Sequence, residues 1–229
     1  LRFEVYSKKN YIDPTKFVDN LEMDEYDQTK KSIYFICKSQ DSIIGTARLI
    51  HDNPLPTQKY FVFQEPKEMS VIPPEKKAEI GRLIIKYSNI HKNCNLARHL
   101  LLLILFKTIL DYAKEKGYVG GYAFVKKTLA QKLDILNFPY HKISQFQQIY
   151  PQDGILFKYF NDPQDPVIPI YYFLNEINDY IENLLNKKFI FHLKKRGKCT
   201  YITVKNFNYN LFIITRYLLN KITGVFKQW

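Results

Sequence analysis

Two arginines sit inside apolar runs: Arg48 in "SIIGTARLIH" (42–51) and Arg82 in "AEIGRLIIKYS" (78–88). Both runs have the β-branched and apolar richness of strands, and the second is nearly continuous in apolar residues, as a central strand is. Such a strand cannot bury an unpaired guanidinium, so each arginine must meet carboxylates or reach solvent. One segment is dense enough to supply them. "NLEMDEYDQTKKSIYF" (20–35) gathers Glu22, Asp24, Glu25 and Asp27 immediately before another strand-like run. An acidic cluster is ordinarily a solvated face; two arginines locked in strands downstream give this one a second use.

The remaining elements follow in order. "SIYFICK" (32–38) and 42–51 read as an antiparallel hairpin. Pro54, Pro56, Pro66, Pro73 and Pro74 interrupt the chain before the strand at 78–88. The stretch 95–117 has helical length, with Asn95 as N-cap and Gly117 as stop. A strand at 119–125, an amphipathic helix at 126–138 and a strand at 154–160 come next, then a proline-punctuated connector at 161–170 and a helix over 171–186. The pattern is a mixed α/β sheet with a crossover helix, with one domain over 1–160 and a C-terminal extension over 161–229. The extension's last part, Tyr209–Trp229, has apolar residues at helical spacing and follows the basic "HLKKRGK". It suits a helix packed on the domain or an interfacial helix on an anionic membrane.

Charge is unevenly spread. Residues 1–85 carry 13 basic and 13 acidic side chains, 86–170 carry 11 and 6, and 171–229 carry 10 and 3, giving the net +12. A basic C-terminal half implies an acidic partner. Cys37, Cys94 and Cys199 are too scattered for a disulfide framework, which points to a reducing cytoplasm. The five histidines show no ligand spacing, so no metal site is expected. The apolar run at 100–106 falls far short of the roughly 20 residues a membrane-spanning helix needs. A chain opening on Leu1 without methionine suggests that N-terminal residues are missing.

Four motifs now stand in fixed order: "RFEVY" at the start, "DEYD", "GTARL" and "EIGRL". Together they resemble the acyl-homoserine-lactone synthases and the long-chain N-acyl amino acid synthases of the GNAT acyltransferase superfamily, over roughly 1–160. The resemblance implies a GNAT-like fold of the α/β (α+β) class: a mixed, mostly antiparallel central sheet with helices on both faces, followed by the helical, basic extension. It also implies that Arg2, Asp24, Asp27, Arg48, Glu79 and Arg82 are the family's charged set on the amine side of the cleft, with Tyr6 beside them. Residues three apart on an ideal strand face opposite ways, so Glu79 and Arg82 share a cleft only across a bulge, expected at Gly81. The same charges also fit a structural network that holds an N-terminal lid on the sheet.

The implied chemistry is aminolysis of a thioester. Glu79 would be the base, acting through a water because a neighbouring arginine would lower its pKa. A backbone N–H near Gly81 would donate to the oxyanion. Arg48 and Arg82 would clamp a substrate carboxylate, oriented by Asp24 or Asp27. No cysteine lies in the motifs, so transfer is direct, without an acyl-enzyme. The turn "SNIHKNCNLARHLL" lacks the glycines that wrap a diphosphate. This favours the acyl-phosphopantetheine of an acidic acyl carrier protein over acyl-CoA, with Lys86, Lys92 and Arg98 on the donor side and no permanently bound cofactor. The tryptophan that lactone synthases carry shortly after the first motif is replaced by Tyr11, Ile12 and Asp13, so an amino acid or similar small amine is favoured over S-adenosylmethionine. No nucleic-acid partner is expected. A catalytically inactive GNAT fold with a membrane-docking tail is the alternative from another class.

Overall fold

The computed structural model describes residues 1–39, 42–86, 95–185, 191–196 and 199–204. Helix α1 (Arg2–Lys8) and the four-residue helix α2 (Glu25–Gln28) precede the hairpin of β1 (Ser32–Ser39) and β2 (Ser42–Ile50). The proline-interrupted segment holds α3 (Pro56–Tyr60), β3 (Phe61–Phe63) and α4 (Lys67–Ser70), and leads into β4 (Glu79–Ile85). Then come α5 (Asn95–Glu115), β5 (Gly120–Lys126), α6 (Lys127–Ile135), β6 (His141–Lys142), β7 (Phe146–Gln148), α7 (Phe157–Phe160), β8 (Val167–Phe173) and α8 (Leu174–Leu185). A last hairpin pairs β9 (Phe191–Arg196) with β10 (Cys199–Val204).

Two antiparallel sheets, β1-β2-β4 and β5-β8-β6, meet where β4 and β5 run parallel at the Lys77–Gly120 bridge. The composite is a mixed, mostly antiparallel sheet. One face packs on α5 and α8: Phe35, Ala47 and Leu49 share a buried cluster with Leu105, Ile109, Ala113, Ile177 and Ile181. Alternation sends Arg48 to the other face, where α1 and the segment through α2 lie. Gly117 ends the α5 region at φ 77, a left-handed conformation cheap for glycine alone, and the Tyr118 N–H closes back on the Ala113 carbonyl at 2.9 Å.

Among the described residues, the backbones of β4 and β5 hydrogen-bond only at their starts. The Val119 N–H donates to the Lys76 carbonyl at 2.9 Å and the Ala78 N–H to the Gly120 carbonyl at 3.0 Å. Gly121 makes this approach possible, since a Cβ there would lie 1.5 Å from the Ala78 oxygen. Beyond it, among the described residues, β4 pairs only with β2, so its other edge has no strand partner.

Two expected elements are different. Residues 154–160 are a turn followed by α7, because Tyr150 and Phe160 stack at 4.0 Å and pull the segment into an aromatic cluster. Residues 167–173, assigned to the connector and to the start of a helix, form β8 in the middle of its sheet; the helix begins at Leu174. Pro169 hides this strand in the sequence. It pairs opposite Phe124, and its carbonyl accepts from the Ile143 N–H on the β6 side at 3.4 Å. The helix expected at Tyr209–Trp229 lies outside the described residues.

Candidate active site

The acidic strap is organised locally before it meets any arginine. Asp24 is the N-cap of α2, accepting from the Tyr26 N–H at 3.0 Å, while Asp27 Oδ2 accepts from the Asp24 N–H at 2.7 Å. This reciprocal capping fixes both carboxylates in one turn. Arg48 then grips Asp24 with both Nη atoms, at 2.7 and 2.6 Å, and its Nη1 lies 3.4 Å from Asp27. Arg82 donates to Glu22 at 3.0 and 3.2 Å and to Asp24 at 2.8 Å. From α1, Arg2 reaches Asp27 at 2.9 and 3.1 Å, lies 2.8 Å from Glu22 Oε2 and donates to the Glu22 carbonyl. Three guanidinium groups thus face three carboxylates. Tyr6 stacks under Arg82, whose guanidinium carbon is 5.8 Å from its ring centroid, and burial pushes the Tyr6 hydroxyl up to about 12.

Glu22 is the member that the motif comparison missed, although it is 3% exposed and holds two of the arginines. Its signal was present: in an extended segment Glu22 and Asp24 point the same way. Leu21 and Met23 point outward instead, at 58% and 45% exposure.

The bulge lies one residue later than expected. In the β2–β4 register Arg48 pairs with Gly81 and Thr46 with Ile84, so two steps on β2 oppose three on β4. The surplus falls at Arg82, whose φ is 52. A left-handed arginine is disfavoured by sterics; here the carboxylates of Glu22 and Asp24 hold it. The bulge resets the alternation, so that Glu79 and Arg82 both line one cavity of about 460 Å³.

That cavity has two kinds of wall. Asp24, Arg48, Glu79, Gly81 and Arg82 form one, and Tyr26, Tyr60, Phe124 and Tyr150 the other. The aromatic wall was not legible as a site, because Tyr150 and Phe124 arrive from distant segments. Glu79 is 2% exposed and accepts from the Thr57 N–H at 2.7 Å. Burial drives its pKa up to about 8, against the lowering effects of Thr57, Arg48 and Arg82. The neighbouring arginines do lower it, as expected, but burial outweighs them, because Arg82 spends its hydrogen bonds on Glu22 and Asp24. Burial also raises Asp24, but Arg48, Arg82 and Arg2 together hold it down at about 2.

Of the donor-side residues, Lys86 pairs with Glu4 of α1 at 2.6 Å. Lys92 and the side chain of Arg98 lie outside the described residues. Cys37 is buried in the α5-facing core, its thiol raised to about 11 by burial. Among the described residues no His, Cys, Asp and Glu group could hold a metal ion, and no helix is long and apolar enough to cross a membrane.

The backbones of β4 and β5 bond only at their starts, β4 bulges at Arg82 and a charged cavity lies beside the bulge; the family relation given below makes the protein an acyltransferase. The solved structures agree on the fold. The acyl-homoserine-lactone synthase LasI superposes with a TM-score of 0.52 at 13% identity, covering 80% of this chain and 84% of that one. The CoA-dependent acyl-homoserine-lactone synthase MesI gives 0.51 at 16%, covering 81% and 84%, and FeeM, an N-acyl amino acid synthase from uncultured soil microbes, gives 0.50 at 15%, covering 78% and 90%. No curated protein matches the sequence. The family model of the N-acyl amino acid synthase FeeM matches residues 1–151 of 229, and the chain belongs to that family.

Proposed function

We propose that the protein moves a fatty acyl group from the phosphopantetheine thioester of an acidic acyl carrier protein to the amine of an amino acid or similar small amine. The observation that carries this reading is Glu79: a carboxyl whose pKa is raised to about 8, in a cavity that opens beside the bulge of β4. An amine arrives as an ammonium ion and must lose a proton before it can attack. A carboxylate of pKa near 8 is a far better acceptor of that proton than an ordinary one. Glu79 takes it, the nitrogen bonds to the acyl carbon, and a backbone N–H at Gly81 or Arg82 meets the oxyanion. The C–S bond then breaks and the thiol leaves with a proton.

The charged wall shapes the acceptor end rather than clamping it freely, since Arg48 and Arg82 already hold Asp24 and Glu22. The aromatic wall suits the acceptor's apolar body. Direct transfer fits the placement of Cys37 on the opposite, helix-covered face. An acidic carrier suits the excess of basic residues in 86–229, 21 against 9 acidic, summed from the two C-terminal segments counted above.

The test is to incubate the full chain with a decanoyl-carrier protein and mixed amino acids, and to search for N-decanoyl products by mass spectrometry. An N-decanoyl product, with no mass added to the protein, is expected. Intact thioester, or hydrolysis alone, overturns the reading. Running decanoyl-CoA in parallel ranks the two donors.

A further inference from the structure

Where β4 leaves β5, one side-chain hydroxyl stands in for a peptide group. In a parallel ladder the Ala78 N–H bonds the Gly120 carbonyl, the Ala78 carbonyl accepts from the Tyr122 N–H, and the Ile80 N–H donates to the Tyr122 carbonyl. Only the first of these bonds forms between the strands, at 3.0 Å. The other two go to Tyr172 of β8: its hydroxyl donates to the Ala78 carbonyl at 2.9 Å and accepts from the Ile80 N–H at 3.1 Å. Tyr172 pairs with Gly121 in the β5–β8 register, and Gly121 is the glycine that brings β5 against the Ala78 carbonyl. The ring is 3% exposed, so water cannot take over either bond.

We infer that Tyr172 is a positioning residue of the transfer reaction: its hydroxyl ends the β4–β5 ladder at Ala78, setting where the thioester slot begins and holding the backbone on both sides of Glu79. Ala78 and Ile80 flank Glu79, so one oxygen anchors the strand on either side of the candidate base. Removing that oxygen leaves a buried donor and acceptor unpaired. With the phenyl ring still in place the strands cannot close to pair them through Tyr122, so the backbone on both sides of Glu79 loosens. A tyrosine serving only the core would contribute its ring and not this hydroxyl. The inference rests on the acyltransfer reading for its kinetic arm, but not for its structural one.

The experiment uses the full-length protein and its Tyr172→Phe variant, which keeps the ring. By amide hydrogen exchange, Ile80 should be protected in the wild type and should exchange at least about tenfold faster in the variant, with Val119 unchanged. With decanoyl-pantetheine as donor, kcat/KM should fall about tenfold or more, while KM for the best amino-acid acceptor stays within about twofold. Three results overturn the proposal: an unprotected Ile80 in the wild type, unchanged Ile80 exchange in the variant, or altered exchange with an unaltered donor kcat/KM. If the variant does not fold, protection of Ile80 in the wild type decides. If the wild type transfers no acyl group, the functional reading fails on its own, and the exchange data still decide whether the hydroxyl ends the ladder.

Discussion

Asp24 and Glu79 line the same cavity, yet they occupy opposite protonation regimes, at about 2 and about 8. Burial raises both. Asp24 comes with Arg48, Arg82 and Arg2, and their hydrogen bonds and charges outweigh its desolvation. Glu79 has one backbone N–H from Thr57 in direct contact and more distant help from Arg48 and Arg82, so desolvation wins. What a cavity does to a carboxylate is thus set by the cations that accompany it and not by depth alone. The two groups also pull stability in opposite directions. Asp24, lowered from 3.8, contributes stability above that value and loses it as pH falls toward 2. Glu79, raised from 4.5, stays protonated in the folded state while the unfolded chain ionises, so its contribution declines as pH rises from 4.5 through 8.

Removing the cation side of this contrast should have the largest effect. Arg82→Leu leaves the buried Glu22 with Arg2 alone and takes one of the two guanidinium partners from Asp24, and should cost about 3 kcal/mol, read from urea unfolding. A loss below about 1 kcal/mol would mean that water replaces the guanidinium and that the strap is not a closed network. Next comes the other side. Glu79→Gln should lower turnover about a hundredfold or more while leaving the fold intact. In the wild type, activity should rise with pH through about 8 as Glu79 ionises, and the variant should lose that rise. A pH profile unchanged by the substitution would remove Glu79 from the proton transfer. Within the strap, Arg48→Ala and Asp24→Ala should be non-additive by about 0.5–3 kcal/mol in a double-mutant cycle of stability. Additivity would break the network into independent pairs.

The sequence made the strap legible because buried arginines in strands create a demand that only one acidic segment can meet. The hairpin, β4, α5 and β5 were legible for a similar reason, since each has its own period and its own stop signal. Three things were hidden, each by a tertiary effect. β8 carries Pro169, and its place in the sheet depends on neighbours supplied by β5 and β6. Residues 154–160 look like a strand, but Tyr150 and Phe160 stack the segment into a helical turn. The pKa of Glu79 required knowing where Arg82 points, which spacing suggests only once the bulge is located. A bulge could be expected from Glu79 and Arg82 sharing a face; its position at Arg82 rather than Gly81 comes from the pull of Glu22 and Asp24 on the guanidinium.

Gly81 supplies the smallest effect and separates chemistry from architecture at the charged wall. It pairs with Arg48, its φ lies outside the left-handed region, and a Cβ there would have no atom within 4 Å, although the residue lines the cavity. Nothing in the folded protein therefore resists a methyl group. Gly81→Ala should raise stability by about 0.4–1 kcal/mol by restricting the unfolded chain. The same methyl projects into space that, in the proposed reaction, the acyl carbon and the attacking amine share with Glu79, so turnover should fall while the melting temperature rises. If Glu79, Gly81 and Arg82 serve only to hold a lid on the sheet, stability rises and turnover does not change. A fall in both would instead show that the strand relies on a glycine at this position, which the open space around it contradicts.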